Sequence, residues 1–133
     1  MTAITRNNPP SVFNGAPHIY NHCVRVDNPR SLLFIAGQLS LDSEGNVVGP
    51  GNMEEQTRQC IRNIQTIMDA EGGTLQDIVS TVVYTTDLRE FDRIVKARKE
   101  FFVANLPSST IVEVNHLGRD AGLLIEIQAT AAL

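Results

Sequence analysis

Residues 106–114 read Leu106-Pro107-Ser108-Ser109-Thr110-Ile111-Val112-Glu113-Val114, and residues 123–131 read Leu123-Leu124-Ile125-Glu126-Ile127-Gln128-Ala129-Thr130-Ala131. Pro107 cannot continue a preceding helix and pre-sets an extended entry into the residues after it. Both apolar runs are short and rich in β-branched residues, so each is predicted to be a strand. The polar residues 115–122 between them, with His116, Arg119 and Asp120, suit a solvated loop. Glu126 is the anomaly. It is a carboxylate in mid-strand whose neighbours Ile125 and Ile127 point to the opposite face, so its charge must be solvated, paired or functional.

Outward from this stretch, residues 87–105 predict a helix: Asp87 and Glu90 form a capping pair, Phe91, Ile94, Val95, Phe101 and Phe102 give an apolar stripe, and Asn105 marks the end. Residues 77–86 alternate Ile78, Val82 and Tyr84 against Val79, Val83 and Thr85, which predicts a strand. Asn52 and Glu55 open another helix, whose stripe is Met53, Thr57, Cys60, Ile61, Ile64, Ile67 and Met68, closed by Gly72-Gly73. Residues 38–51 have no period and form a long loop, with room for a minor strand. Residues 18–26 and 31–37 are extended and flank Asp27-Asn28-Pro29-Arg30, so an antiparallel hairpin is expected between them. Residues 1–17 form an arm, with a short edge strand near Ile4.

The resulting order is β-β-α-β-α-β-β in one domain spanning residues 1–133. Two helices can cover one face of such a sheet. Ile111 on one strand, with Ile78, Val82 and Tyr84 on another, indicates apolar groups on both faces, and self-association is the economical way to cover the second.

The 133 residues are 42% apolar and 20% charged, a globular composition, with a net charge of −4. The acidic balance and the lack of a basic cluster argue against nucleic acid as a primary partner. No apolar run approaches a membrane span, and no signal peptide is evident. Cys23 and Cys60 fit small core residues with reduced thiols, so a cytoplasmic location is expected. His18 and His22 invite a metal reading, but no third ligand is spaced for it. The glycines of Val48-Gly49-Pro50-Gly51 lack the lysine and spacing of a phosphate-binding loop.

Six short segments, in order, resemble the Rid (YjgF-like) family of reactive-intermediate deaminases. They are Tyr20-Asn21-His22-Cys23-Val24, Phe34-Ile35-Ala36-Gly37-Gln38-Leu39, Glu55-Gln56-Thr57-Arg58-Gln59, Val83-Tyr84-Thr85-Thr86-Asp87, Glu100-Phe101-Phe102, and Val112-Glu113-Val114 with Ile125-Glu126-Ile127. The resemblance implies a chorismate-mutase-like α+β fold and a homotrimer with a central β-barrel. It also implies active sites in clefts between subunits, and cofactor-free hydrolysis of imines or enamines such as 2-aminoacrylate. By position, Glu126 takes the place of the water-positioning glutamate, Tyr20 that of a cleft tyrosine, and Gly37 that of a glycine whose amide contacts substrate. Ser109 stands where active members carry an arginine that clamps the substrate carboxylate, and Ile111 where many have a cysteine or another small residue. A serine supplies no charge. Either the substrate is not a small amino-acid-derived carboxylate, or Arg119 or His116 makes the anion contact. A trimeric binding protein without catalysis is the alternative. RNA cleavage, attached to some relatives, fits poorly with the charge.

Overall fold

The first helix shows how local chemistry sets the frame. In the computed structural model, which describes residues 1–118 and 122–133, α1 spans Met53–Ala70. The Asn52 side chain accepts from the Glu55 amide at 3.0 Å. Only that half of the expected box forms, because the Asn52 amide bonds to Gly49 O and the Glu55 carboxylate turns to Arg58 and Arg62. At the other end Gly72, at φ 80°, lets the chain close a Schellman motif: Gly73 N–H reaches Met68 O and Gly72 N–H reaches Asp69 O. A 3-10 turn over Leu75–Asp77 comes next, held by a reciprocal Thr74–Asp77 capping box.

Six strands and a second helix complete the chain: β1 (Ala3–Asn7), β2 (Cys23–Asp27), β3 (Leu32–Leu39), β4 (Ile78–Thr85), α2 (Phe91–Lys99), β5 (Ser108–Glu113) and β6 (Ile125–Ala132). The expected element order therefore holds from β2 onward, with β1 supplied by the arm. The main sheet runs β3-β6-β4-β5, with β4 and β5 parallel and the other pairs antiparallel. β6 is thus a central strand.

The expected hairpin between residues 18–26 and 31–37 does not form. β2 pairs instead with β1 in a separate two-stranded ribbon. Asn28, at φ 52°, turns the chain away, and the Arg30 and Ser31 amides both bond to Leu133 O, which delivers β3 to the end of β6. α2 also stops earlier than Asn105: its last helical residue is Lys99, and Phe101 and Phe102 pack from the following turn, both amides reaching Arg98 O. The Asp87 side chain caps a 3-10 turn over Leu88–Glu90 ahead of α2, by accepting from the Arg89 amide.

Both helices lie on one sheet face. Their side chains Ile61, Ile64, Met68 and Ile94 meet Ile35 of β3, Val83 of β4, and Ile125, Ile127, Ala129 and Ala131 of β6. Ile78 and Ile111 belong to this covered face too, which corrects their use as evidence for an apolar second face. A register shift between Ile78 and Ser80 turns Ile78 into the core, and Ile111 pairs with the buried Val83. The uncovered face is nevertheless apolar. It carries Phe34, 80% exposed, with Leu32, Val112, Val82 and Tyr84.

Candidate functional site

Glu126 sits on β6 between Ile125 and Ile127, both buried beneath the helices, so alternation sends its carboxylate to the uncovered face. It is half-buried there, beside Tyr84 of β4 and Leu39 of β3 in the ladder. The β3 ladder is irregular between Ile35 and Gln38, and Gly37 lies in that break. The Glu126 side chain folds over Gly37: a Cβ there would come within 2.8 Å of Glu126 Cδ and 3.0 Å of its Cγ. Gly37 is therefore required by the carboxylate above it rather than by backbone torsion. No described residue donates a hydrogen bond or ion pair to that carboxylate.

Tyr20, Ser109 and Ile111 form a second cluster. Residues 17–22 are held against the entry to β5 by Asn21, whose amide bonds to Pro107 O at 3.0 Å and whose side chain bonds to Leu106 O at 2.7 Å. Arg6 of β1 donates to the same Leu106 carbonyl. This brings Tyr20 beside Ser109 and Ile111, and together with Ile19, Phe91 and Val95 they line a largely apolar cavity of about 80 Å³. The Tyr20 ring also meets the His22 ring edge-on at 5.4 Å.

Sequence reasoning missed the cavity's charged member. Arg98, in the last turn of α2, is 6% exposed and lines the same cavity. Its Nη1 donates to Ser109 Oγ at 3.0 Å and its Nη2 to Thr81 Oγ1 at 3.3 Å. The guanidinium carbon lies 5.9 Å from the centre of the Phe102 ring. Burial pushes its pKa down to about 10, which leaves it charged at neutral pH. The signal was present in the spacing: Phe91, Ile94, Val95, Arg98 and Phe102 fall on one stripe, with Arg98 at an inward position.

The structure does not bring all the expected site residues together. Glu126 and Gly37 lie on the uncovered face, while Tyr20, Ser109 and Ile111 lie on the helix side at the β5 edge. β4 intervenes, so the two strands are about 10 Å apart. His116 is exposed in the loop after β5 and does not line the cavity, and Arg119 falls outside the described residues. Cys60 is buried, donates to Ile125 O, and has its thiol pushed up to about 12 by burial and then by the Glu126 charge, so it is no nucleophile. Cys23, expected in the core, is exposed on β2.

These features define a two-layer α+β protein with a half-buried carboxylate on one sheet face and a guanidinium-containing cavity on the other. The family described as Endoribonuclease L-PSP matches over residues 14–133, and the chain belongs to this YjgF/Rid/RutC family. It is 35% identical over 112 residues to a RutC family protein of Pyrococcus abyssi, covering 84% of each chain. It is 30% identical to the mouse protein named 2-iminobutanoate/2-iminopropanoate deaminase, covering 84% of this chain and 79% of that one. The crystal structure of YyfB, a Rid-family protein of unknown function from Yersinia pestis, superposes with a TM-score of 0.87 at 26% identity over 98% of each chain.

Proposed function

We propose that this chain is a cofactor-independent hydrolase of a small imine or enamine, with Glu126 as the water-positioning carboxylate. The observation that carries this reading is the Glu126 carboxylate lying over Gly37 with no described protein partner. The mouse relative's name supplies the substrate class. In the reaction, water adds to the carbon of a protonated C=N bond while Glu126 accepts its proton. The nitrogen of the carbinolamine then takes that proton from Glu126, the C–N bond breaks, and the hydroxyl proton passes to the departing ammonia, which leaves as ammonium while the carbonyl forms. An enamine first gains a proton at carbon to become the imine. No electrons are exchanged with a cofactor, and the carboxylate ends as it began.

The reaction needs both clusters, and residues on opposite faces of one sheet cannot enclose one small substrate. We therefore place the site between chains, with Glu126 and Gly37 from one copy and Tyr20 and Ser109 from the next. Two different patches meeting make a heterologous contact, which forms a ring where its rotation closes and a filament where it does not. Phe34, Leu32 and Val112 on the uncovered face favour a ring of three around a central barrel. Such a protein, with thiols and no helix among the described residues long and apolar enough to cross a membrane, fits a cytoplasmic setting.

Ser109 in place of a clamping arginine predicts weak turnover of 2-aminoacrylate and 2-iminobutanoate, and turnover equal to that of an arginine-bearing relative would show that another cation replaces the clamp. RNA cleavage is disfavoured by the net charge of −4 and the lack of a basic cluster in the sequence. The test is Glu126→Gln, assayed on 2-iminobutanoate and 2-iminopropanoate generated in situ. It should keep the assembly and lose about 10²–10⁴-fold in rate. Normal turnover with a loosened assembly would make Glu126 structural. Ligand binding without turnover in the wild type would establish a silent binding protein instead.

A further inference from the structure

We infer that Arg98 is the anion-binding residue of the cavity beside Tyr20, taking a small carboxylate through the gap at Ser109. A buried charge is expected to have an opposite charge or a full set of acceptors. Among the described residues Arg98 has neither: no carboxylate lies within salt-bridge distance, and its side-chain acceptors are the hydroxyls of Ser109 and Thr81. A guanidinium carries five donors in a planar fork, and two neutral hydroxyls use two of them. The remaining compensation is weak: the carbonyl end of α2, whose last turn holds Arg98, and the face of Phe102.

The surroundings fit an anionic guest. The cavity is lined by Ile19, Ile94, Val95 and Ile111, so an ion there would be shielded from water and held more strongly than at the surface. About 80 Å³ admits a carboxylate and a few carbons, given roughly 30 Å³ for one water in the liquid. Ser109 gains a reason as well. A small hydroxyl there receives a bond from Arg98 and leaves the guanidinium reachable past it, whereas an arginine side chain would fill that space with a second cation. The positive charge has moved from the strand to the helix behind it. Carboxylate binding is then supplied by Arg98, not by Arg119 or His116.

The inference rests on the hydrolase reading only in making that carboxylate part of the substrate, and the test separates the two. Propionate and neutral propionamide are titrated into the full-length protein at constant ionic strength. Binding is followed by amide and arginine Nε–H chemical shifts, and melting temperature is measured alongside. Propionate should bind saturably and at least tenfold more tightly than propionamide. Arg98→Met should abolish this preference without lowering the melting temperature, because it replaces an uncompensated buried cation by an apolar chain of similar length. Arg98→Lys, which keeps the charge but not the fork, should retain a weakened preference, and it serves if the methionine variant does not fold. Equal binding of the two probes, or propionate affinity unchanged in Arg98→Met or Arg98→Lys, overturns the inference. So does a fall in melting temperature with propionate binding intact, which would make Arg98 a structural residue. Propionate selectivity in a wild-type protein that hydrolyses no imine would retire the hydrolase reading and leave the anion site standing.

Discussion

A single methyl group added at Gly37 would overlap the Glu126 carboxylate, with no φ penalty to confuse the result. Gly37→Ala should therefore swing Glu126 away while leaving the sheet intact. A misplacement of about 1 Å at a reacting group can cost on the order of 10²-fold, so hydrolysis should fall by that order with a nearly unchanged melting temperature. Steady-state rates and calorimetry on one preparation check it, and full activity would mean that Glu126 need not sit there. Cys60 gives a prediction in pH. Its folded pKa, near 12, lies above the ordinary thiol value, so the unfolded chain loses its proton first as pH rises. Stability from this group is thus intact below about pH 8.5 and declines above it, by roughly 1.4 kcal/mol per pH unit, until the folded thiol ionises. Cys60→Ala should flatten that part of the urea-melt stability curve between pH 9 and 11. An unchanged slope would show that other groups set it.

At the scale of elements, Gln56 ties α1 to the entry of β6. Its side chain is fully buried, donates to Gly49 O at 3.0 Å and Gly122 O at 2.6 Å, and accepts from Leu124 N at 2.9 Å. Gln56→Leu fits the space but deprives the Gly49 carbonyl and the Leu124 amide of that partner. It should cost about 2–4 kcal/mol, read as a lower denaturant midpoint. A neutral effect would mean that water replaces the amide. α1 itself was legible from its residues because every determinant is local: the Asn52 cap, the stripe from Met53 to Met68, and Gly72-Gly73. The pairing of β2 was not, because Asn28 turns the chain and Leu133, more than a hundred residues later, receives β3. The end of α2 was misread because Phe101 and Phe102 continue the apolar period after the hydrogen bonds have stopped. Strand alternation in the sequence singles out Glu126, and the family resemblance alone points to Gly37. Arg98 was overlooked because a cation in a last turn ordinarily serves the helix dipole at the surface, and its inward place shows only when charge is ignored and spacing alone is followed.

For the whole molecule, the placement of Ile111 separates two outcomes that the sequence alone merges. Phe34→Asp charges the uncovered face and should dissociate the proposed assembly into folded chains, seen by native mass spectrometry with an unchanged far-UV spectrum. Ile111→Lys puts a cation against the core beside Val83 and into the cavity that already holds Arg98, and should unfold the chain, costing several kcal/mol. A folded monomer from Ile111→Lys, or an intact assembly from Phe34→Asp, would count against the assignment of faces. The split of Glu126 and Arg98 between opposite faces has a further consequence for heredity. In the ring proposed above, chains with Glu126→Gln and chains with Arg98→Met would each assemble without activity. Unfolded together in equal amounts and refolded, they should rescue one another, because about a quarter of the contacts would join an intact Glu126 to an intact Arg98 across a heterologous boundary. Two defective alleles of this one gene would then complement in a single cell.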